Sequence, residues 1–239
     1  MSQTSICCPI QTGAMAYAIG HLQSAGYRIF ESPAAHIEHL LLPVPSFSSG
    51  TDYLPPLLRE LPWNIRVYGG FLHAPPLIGY KRVDFLADPY YLANNAAITA
   101  ECTLEIVENI LHQDISSHSV LILGWGRIGK CLGKLLREKG AQVTIAARKD
   151  SDLAMLEALG YQAAPLHQLN PEAEFIINTI PVMVLDQVPQ HAVAIELASK
   201  PGMNGGQILS ARGLPGKMRP EASGKLIAET FMRLQEVEL

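Results

Sequence analysis

Hydrophobic and polar positions divide the chain into two parts of different regularity. In residues 5–93, short apolar runs alternate with one stretch of helical periodicity that ends at Gly26. The segment from Pro43 to Pro62 is rich in Pro, Ser and Gly, which predicts a loop with one short helix near Leu57. Because short strands alternate with helices, we expect a small, reduced α/β domain with a parallel sheet over residues 1–95. The elements predicted there are strands at 6–9, 27–30, 37–42 and 65–68 and a helix at 14–25.

The second part of the chain has a more regular pattern. Thr99 is a suitable N-cap and Glu101 suits the positive end of a helix, so a helix over 99–113 is expected to link the two domains. Strands and helices then alternate as far as a last helix at 221–236, which predicts a doubly wound parallel α/β sheet over residues 96–239. The elements predicted between are strands at 119–123, 142–146, 175–179 and 192–197, a further candidate strand at 206–210, and helices at 129–139 and 152–159.

A glycine-rich turn follows the first strand of this second part, with G-x-G-x-x-G at Gly124, Gly126 and Gly129. The pattern alone is weak in a chain with 19 glycines, but an apolar strand runs directly into it and an amphipathic helix begins at about Arg127. In such turns the first glycine permits the tight bend, the second admits a pyrophosphate and the third lets the helix pack on the strand. The N–H groups at the helix start, at Arg127 and Ile128, are expected to hold the phosphates. This context favours a Rossmann domain that binds a nicotinamide dinucleotide over a turn with no ligand.

The end of the second strand bears on the choice between NAD and NADP. NAD sites usually carry Asp or Glu there, about 20 residues past the first glycine. The aligned position is Ala147, and Arg148 and Lys149 follow it. Two cations without a carboxylate favour a ribose 2′-phosphate, so we expect NADP. The alternative is that both cations are solvated and that Asp150 holds the ribose of NAD.

Two further segments follow strands at the edge where such sheets bind ligands. The segment after the third strand is expected to lie against the nicotinamide ribose, although Pro181 could also be no more than a strand terminator. Ser199 and Lys200 follow the next strand, where Lys200 either grips a substrate carboxylate or is solvated. The cofactor contacts expected in the first of these segments are Asn178, Thr179, Ile180 and Pro181.

Composition and charge exclude several classes of function. With 18 basic and 22 acidic side chains the net charge is −4, and no basic cluster indicates a nucleic-acid-binding surface. No segment approaches the roughly 20 apolar residues of a membrane span. The start, MSQTSICCPIQTG, lacks the features of a signal peptide. We therefore expect a cytoplasmic protein that binds neither nucleic acid nor membrane.

Cysteine and histidine spacing gives no indication of disulfides or of a metal centre. The cysteines show no CxxC motif and are expected to be buried free thiols. His36 and His39 are three residues apart, but no further ligand lies nearby in the sequence, so no metal is expected.

Four longer strings lie in a fixed order around the glycine turn. They are NNAAITAE (Asn94–Glu101), FIINTIP (Phe175–Pro181), ELASKPG (Glu196–Gly202) and ARGLPGKMRPEASG (Ala211–Gly224). Together they resemble the family of dipicolinate synthase A subunits, the NADP-binding chains of the enzyme that makes pyridine-2,6-dicarboxylate in endospore-forming bacteria. The resemblance extends from about residue 82 to 236. That family is itself similar to the D-isomer-specific 2-hydroxyacid dehydrogenases, which combine a catalytic domain, a linking helix and a Rossmann domain.

The resemblance implies oxidation of dihydrodipicolinate, or of its 4-hydroxy hydrate, to the aromatic dicarboxylate. It also implies that the partner is a flavoprotein-like B subunit, and we expect a homo-oligomer. Substrate contacts are implied at Asn95, Thr99 and Glu101, and at Lys217, which stands where the related dehydrogenases keep a catalytic His. With Lys200, Lys217 would grip a dicarboxylate lying between the two domains.

The sequence departs from the family in two respects and from the related dehydrogenases in a third. The N-terminal domain is shorter than is usual in the family, and Glu196 stands where an LDLAS-type string has Asp. The Arg/Glu/His set of the 2-hydroxyacid dehydrogenases is not visible, so no catalytic residue is assigned. Two alternatives therefore stay open. One is an NAD(P)-dependent dehydrogenase or reductase of another small carboxylate, and the other is a dinucleotide-binding regulatory chain without catalysis.

Overall fold

The chain divides into two compact units. A computed structural model describes residues 4–11, 13–34, 36–47, 50, 52–169 and 171–236. One unit consists of residues 1–95 together with 215–239, and the other of residues 96–214.

The first unit contains a five-stranded parallel sheet in the order β2-β1-β3-β4-β5, the order of flavodoxin-like doubly wound sheets. Its elements are β1 (Ser5–Cys7), α1 (Ala14–Ser24), β2 (Arg28–Phe30), β3 (His39–Leu41), α2 (Leu54–Arg59), β4 (Arg66–Gly69) and β5 (Lys81–Asp84), with 3₁₀ turns at Pro75–Leu77 and Phe85–Ala87. The strands and the long helix predicted from hydrophobic runs lie close to their expected ranges. Strand β5 was not predicted, because Lys81 and Arg82 give it no apolar run and its place at the sheet edge leaves both exposed.

One hydrophobic cluster of this unit lies between the sheet and α2. Cys7, Leu40 and Val67, from three adjacent strands, belong to one buried cluster with Leu54 and Leu58 of α2. Burial of an aliphatic side chain of this size stabilises a fold by roughly 1.5–3 kcal/mol. The apolar runs that predicted the strands therefore also supply the core.

The helix that crosses the boundary between the units, α3 (Pro89–Leu111), begins well before the predicted start. Thr99 lies within it and is buried, and its carbonyl oxygen accepts a hydrogen bond from Thr103 Oγ1 at 2.8 Å. The interpretation of Thr99 as an N-cap and of Glu101 as a first-turn residue is therefore wrong. Proline is favoured at the first helical position because its missing N–H would have no intrahelical partner there, so Pro89 was the better signal.

The second unit contains a six-stranded parallel sheet in the order β11-β10-β9-β6-β7-β8. Numbered within this unit, the order is that of the dinucleotide-binding Rossmann fold, with the change of direction between β6 and β9. The predicted α/β class with a Rossmann-type parallel sheet is confirmed. Strand β8 was not predicted. The elements are β6 (Ser119–Leu123), α4 (Arg127–Glu138), β7 (Gln142–Ala147), α5 (Asp150–Ala158), β8 (Gln162–Pro165), β9 (Phe175–Asn178), β10 (Val193–Glu196) and β11 (Gln207–Ser210).

The C-terminal segment returns to the first unit, which differs from the predicted domain of residues 96–239. It forms α6 (Leu214–Met218) and α7 (Pro220–Glu236). Helix α7 packs closely on α1, since a Cβ atom on Gly224 would lie 2.4 Å from the carbonyl oxygen of Ala14. Arg233 of α7 also forms an ion pair with the carboxylate of Asp88. These contacts tie the last helix to the first unit rather than to the Rossmann sheet.

The four cysteines, which all lie within the described residues, form no disulfide bonds. Cys7, Cys8 and Cys102 are buried and Cys131 is half-buried. Burial raises the pKa of the Cys7 thiol to about 11, so this group stays protonated and unreactive at neutral pH. No helix among the described residues combines the length and the apolar character that crossing a membrane requires.

Candidate dinucleotide-binding site

The first and third glycines of the turn are required by close packing. Gly124 has a φ of +111°, and a Cβ atom there would lie 2.5 Å from Thr179 Oγ1 and 2.8 Å from Ile180 Cγ1. A Cβ atom on Gly129 would lie 2.0 Å from the carbonyl oxygen of Gly124, so α4 packs directly on the turn. Both positions therefore exclude a side chain for reasons internal to the fold.

Gly126 is different, because nothing in the fold requires it to be glycine. It is the exposed N-cap of α4, with φ −81° and ψ −167°, and a hypothetical Cβ would have no heavy atom within 4 Å. The first backbone hydrogen bond of α4 runs from Lys130 N to Gly126 O at 2.9 Å. The amides of Arg127 and Ile128 precede it, and such amides have no intrahelical acceptor. The residues present thus fit a pyrophosphate: open space beside the second glycine and N–H groups at a helix start.

The end of β7 carries the two predicted cations. Ala147 is buried as the last residue of the strand, and Arg148 and Lys149 are exposed directly after it. Within the part of the chain that the structure describes, neither cation forms an ion pair. Asp150, the alternative ribose ligand, is the exposed first residue of α5. The predicted preference for NADP stays a prediction.

Strand register brings these features to one edge of the sheet. Leu123, the last residue of β6, is aligned with Ala146 of β7 on one side and with Asn178 of β9 on the other. Asn178 is aligned in turn with Glu196 of β10. Since adjacent strands lie about 4.8 Å apart, the glycine turn, the cationic end of β7 and the ends of β9 and β10 form one row.

The segment after β9 is held against the turn. Thr179 donates to the carbonyl oxygen of Leu123 from both its backbone N, at 3.0 Å, and its Oγ1, at 2.9 Å. Asn178 is fully buried, and its Nδ2 donates to Ile180 O and to Glu196 Oε1. With both amide hydrogens used, the side chain of Asn178 has no donor left for a cofactor. The side chain of Asn178 therefore shapes the turn, while the backbone of Asn178 and the residues Thr179, Ile180 and Pro181 stay predicted cofactor contacts.

Glu196 drew notice in the sequence only as a departure from the related family and was not predicted to be a site residue. Its carboxylate is 3 % exposed and accepts hydrogen bonds from Asn178 Nδ2, Ala198 N and Gly202 N. The signal was present, because an acid at the end of an apolar strand is unexpected. Its bonding to the loop after β9 depends on register and could not be inferred from the string alone.

Comparison with known proteins agrees with this geometry. Residues 96–187 match the family described as D-isomer specific 2-hydroxyacid dehydrogenase, NAD binding domain. The dipicolinate synthase A subunit of Bacillus subtilis (strain 168) is 30 % identical over 158 residues, which are 59 % of this chain and 52 % of that protein. The chain is a homologue of the dipicolinate synthase A subunit. The resemblance stated from the sequence strings is confirmed, and the match spans about half the length of this curated relative.

Solved structures of such homologues share the fold. The dipicolinate synthase A subunit from Bacillus halodurans has a TM-score of 0.85 at 21 % identity, with 97 % of each chain covered. The corresponding chain from Bacillus subtilis has a TM-score of 0.81 at 22 % identity, covering 99 % of this chain and 97 % of that one. D-lactate dehydrogenase from Escherichia coli is more distant, with a TM-score of 0.63 at 14 % identity and coverage of 99 % and 97 %. These likenesses concern the fold.

The predicted substrate contacts of this homologue are distributed over both units. In the second unit, Ser199 and Lys200 are exposed at the tip of the loop after β10, Glu101 is exposed on α3 and Thr99 is buried. In the first unit, Asn95 is half-buried. None of these placements tests binding, so the contacts stay predictions.

Lys217 lies in the first unit, although the predicted Rossmann domain of residues 96–239 included it. It is an exposed residue of α6. The preceding carbonyl, Gly216 O, is 4.0 Å from the Cβ position of Gly13, the N-cap of α1. Lys217 is therefore near the start of α1, at the carboxyl edge of the five-stranded sheet.

No cluster of three or more metal-binding side chains occurs among the described residues. The described site therefore consists of backbone amides, two cations and a network of buried hydrogen bonds.

Proposed function

We propose that the chain is an NADP-dependent oxidoreductase of the dipicolinate synthase type, which oxidises dihydrodipicolinate or its 4-hydroxy hydrate to dipicolinate. The observation that carries the proposal is the glycine turn, with open space at Gly126 beside the exposed cations of β7, in a homologue of the dipicolinate synthase A subunit. The product, dipicolinate, comes from the relative's name, and the substrate is the one that the resemblance of the sequence strings implies.

Cofactor binding assigns separate tasks to the turn and to β7. The amides of Arg127 and Ile128 would hold the pyrophosphate, and Thr179 to Pro181 would lie along the nicotinamide ribose. Arg148 and Lys149 would hold the 2′-phosphate, where two exposed cations and the absence of a carboxylate at Ala147 favour NADP over NAD.

The chemistry that bound NADP⁺ supplies is acceptance of a hydride. Dihydrodipicolinate would lose a hydride to NADP⁺ and a proton to solvent, and the 4-hydroxy hydrate would in addition eliminate one water. Because the product is an aromatic ring, the protein need not contribute a strong acid or base. The residues of this chain would act by orienting the ring and binding its carboxylates. Lys200 and Lys217 are the exposed lysines proposed for that role, with Ser199 as a hydroxyl donor.

A second protein belongs to this proposal, since the homologue's name makes it one of the components of a larger enzyme. We propose a flavoprotein-like B subunit for the partner. The purified chain should be incubated with a dihydrodipicolinate precursor and NADP⁺, with and without that protein, while ultraviolet absorbance of the pyridine product is followed.

The expected result is product formation that depends on the chain and on NADP⁺. No product under either condition, with NADPH still bound, would exclude dipicolinate synthesis and favour another small carboxylate substrate or a regulatory role. Loss of binding and of product together in Gly126→Ala, which fills the proposed pyrophosphate position, would tie the activity to the turn.

A further inference from the structure

The carboxylate of Glu196 connects two loops that leave neighbouring strands. Oε1 accepts hydrogen bonds from Asn178 Nδ2 at 2.8 Å and from Ala198 N at 3.1 Å, and Oε2 accepts one from Gly202 N at 2.8 Å. A buried carboxylate is costly unless it is hydrogen-bonded, and this one receives three donors. These hydrogen bonds join the carboxylate to two loops rather than to a cation. The carboxylate of Glu196 is called the connector below because it links those loops.

On one side the connector fixes the turn after β9. Asn178 Nδ2 donates to Ile180 O at 2.9 Å as well as to Glu196, and Asn178 Oδ1 accepts from Ile180 N at 3.0 Å. The orientation of the Asn178 amide is thereby set from two directions. Thr179, between Asn178 and Ile180, is held separately by its two hydrogen bonds to Leu123 O.

On the other side the connector closes the loop after β10. Ala198 and Gly202 are bonded to the same carboxylate, and the exposed Ser199 and Lys200 lie between them. Gly202 is packed so closely that a Cβ atom would lie 2.3 Å from Asn178 Nδ2. Both ends of the loop are therefore held at the end of β9.

We propose that Glu196 is a positioning residue that holds the Thr179–Pro181 segment and the Ser199–Lys200 segment in one fixed relation. This inference rests on the proposed function, in which the first segment lies along the nicotinamide half of NADP(H) and the second binds a substrate carboxylate. Glu196 touches neither ligand and acts through Asn178 and Gly202.

The position of the connector predicts an effect on only half of the cofactor. The adenosine 2′-phosphate is assigned to Arg148 at the end of β7, and β6 separates that strand from β9. Glu196→Gln keeps the side-chain length but leaves one oxygen, so its amide must face at least one of the three N–H donors. The turn after β9 should then move while the end of β7 does not.

The test compares the affinity of NADPH with that of 2′,5′-ADP, which lacks the nicotinamide half, by calorimetry on the full chain. Glu196→Gln should bind NADPH five- to tenfold more weakly than the wild type, with 2′,5′-ADP affinity within twofold. Gly202→Ala disturbs the same network without altering the carboxylate and should give the same pattern.

Glu174→Gln is the matched control. Glu174 accepts the Ser119 N–H at 3.0 Å but lies just before β9, at the other end of the strand. It should leave both affinities unchanged, and thermal denaturation reports any general loss of stability.

Equal weakening of NADPH and 2′,5′-ADP, or no weakening of either, would overturn the positioning role while the proposed cofactor stands. A wild-type chain that binds neither ligand would overturn the proposed cofactor and this inference with it.

Discussion

Gly129 lies so close to Gly124 that a Cβ atom on the former would be 2.0 Å from the carbonyl oxygen of the latter. Gly126, between them in the sequence, has no heavy atom within 4 Å of its hypothetical Cβ. Two glycines of one motif thus differ, because close packing excludes a side chain at Gly129 and leaves room for one at Gly126.

Gly126→Ala should therefore lose mainly cofactor affinity, and Gly129→Ala should lose mainly stability. Gly126→Ala should cost less than about 1 kcal/mol of unfolding free energy, the size of an N-cap exchange on an exposed, extended backbone, and should weaken NADPH binding at least tenfold. Gly129→Ala should lose about 2 kcal/mol or more of unfolding free energy, because an extra methyl group in a close-packed contact forces the backbone to shift. Calorimetric titration and denaturant unfolding of both variants measure the two effects. A loss of stability in Gly126→Ala as large as that in Gly129→Ala would contradict the assignment.

Cofactor preference should depend on Arg148. We expect the wild type to bind NADPH at least tenfold more tightly than NADH, a difference of about 1.4 kcal/mol. Arg148→Ala should weaken NADPH and spare NADH, because only NADPH carries the 2′-phosphate. Lys134→Ala removes one charge from the exposed face of α4 and serves as the control. Equal losses for both cofactors in Arg148→Ala would mean that Arg148 has a structural role only.

Substrate binding should depend on Lys217. A charge-assisted hydrogen bond contributes roughly 1.5–3 kcal/mol, so Lys217→Met should raise the KM for the dicarboxylate at least tenfold with little change in NADPH affinity. Lys225→Met, on the exposed side of α7 where Lys225 pairs with Glu229, is the comparison variant and should leave KM unchanged. Steady-state kinetics of both variants provide the measurement. An unchanged KM in Lys217→Met would identify Lys217 as a solvated lysine.

Stability of the first unit should fall in acid because of His39. Burial lowers the pKa of this imidazole to about 4, an effect that Glu38 partly offsets and Arg66 increases. Since the unfolded value is near 6.5, the unfolded chain binds the extra proton between these two values. The contribution of neutral His39 to the free energy of unfolding is therefore fully present above pH 6.5. It is lost as the pH falls towards 4, by an amount on the order of 3 kcal/mol.

His39→Phe should remove this part of the acid sensitivity, because Phe fits beside the rings of Tyr68 and Phe231 that contact His39. Urea unfolding of both proteins at several pH values from 7.5 to 4.5 measures the difference. Parallel pH profiles would show that His39 does not contribute.

Local signals were sufficient for the parts of the fold that depend on neighbours in the sequence. The glycine turn could be predicted because the strand, the bend and the helix start are consecutive. The N-terminal strands could be predicted because the buried strands of a parallel sheet are continuous apolar runs. The start of α3 was misjudged because Thr99 matched a capping preference, while Pro89 carried the stronger first-position signal.

The features that could not be predicted depend on contacts between residues far apart in the sequence. The bonds between Glu196 and Asn178 exist only because β9 and β10 are aligned in register. The amphipathic pattern of α7 required an apolar partner but did not specify which sheet would supply it. Gly224 and its contact with α1 decide that question, and neither could be read from periodicity.

The return of α7 to the first unit has a consequence for synthesis of the protein. Residues 96–214 form a continuous stretch and can complete their sheet as soon as they have left the ribosome, since domains generally fold as units during translation. The first unit begins earlier but lacks α7 until residues 220–236 have been made. The first unit, although its synthesis begins first, is therefore completed after the second. The surface of α1 that α7 covers stays exposed while the Rossmann unit is being translated.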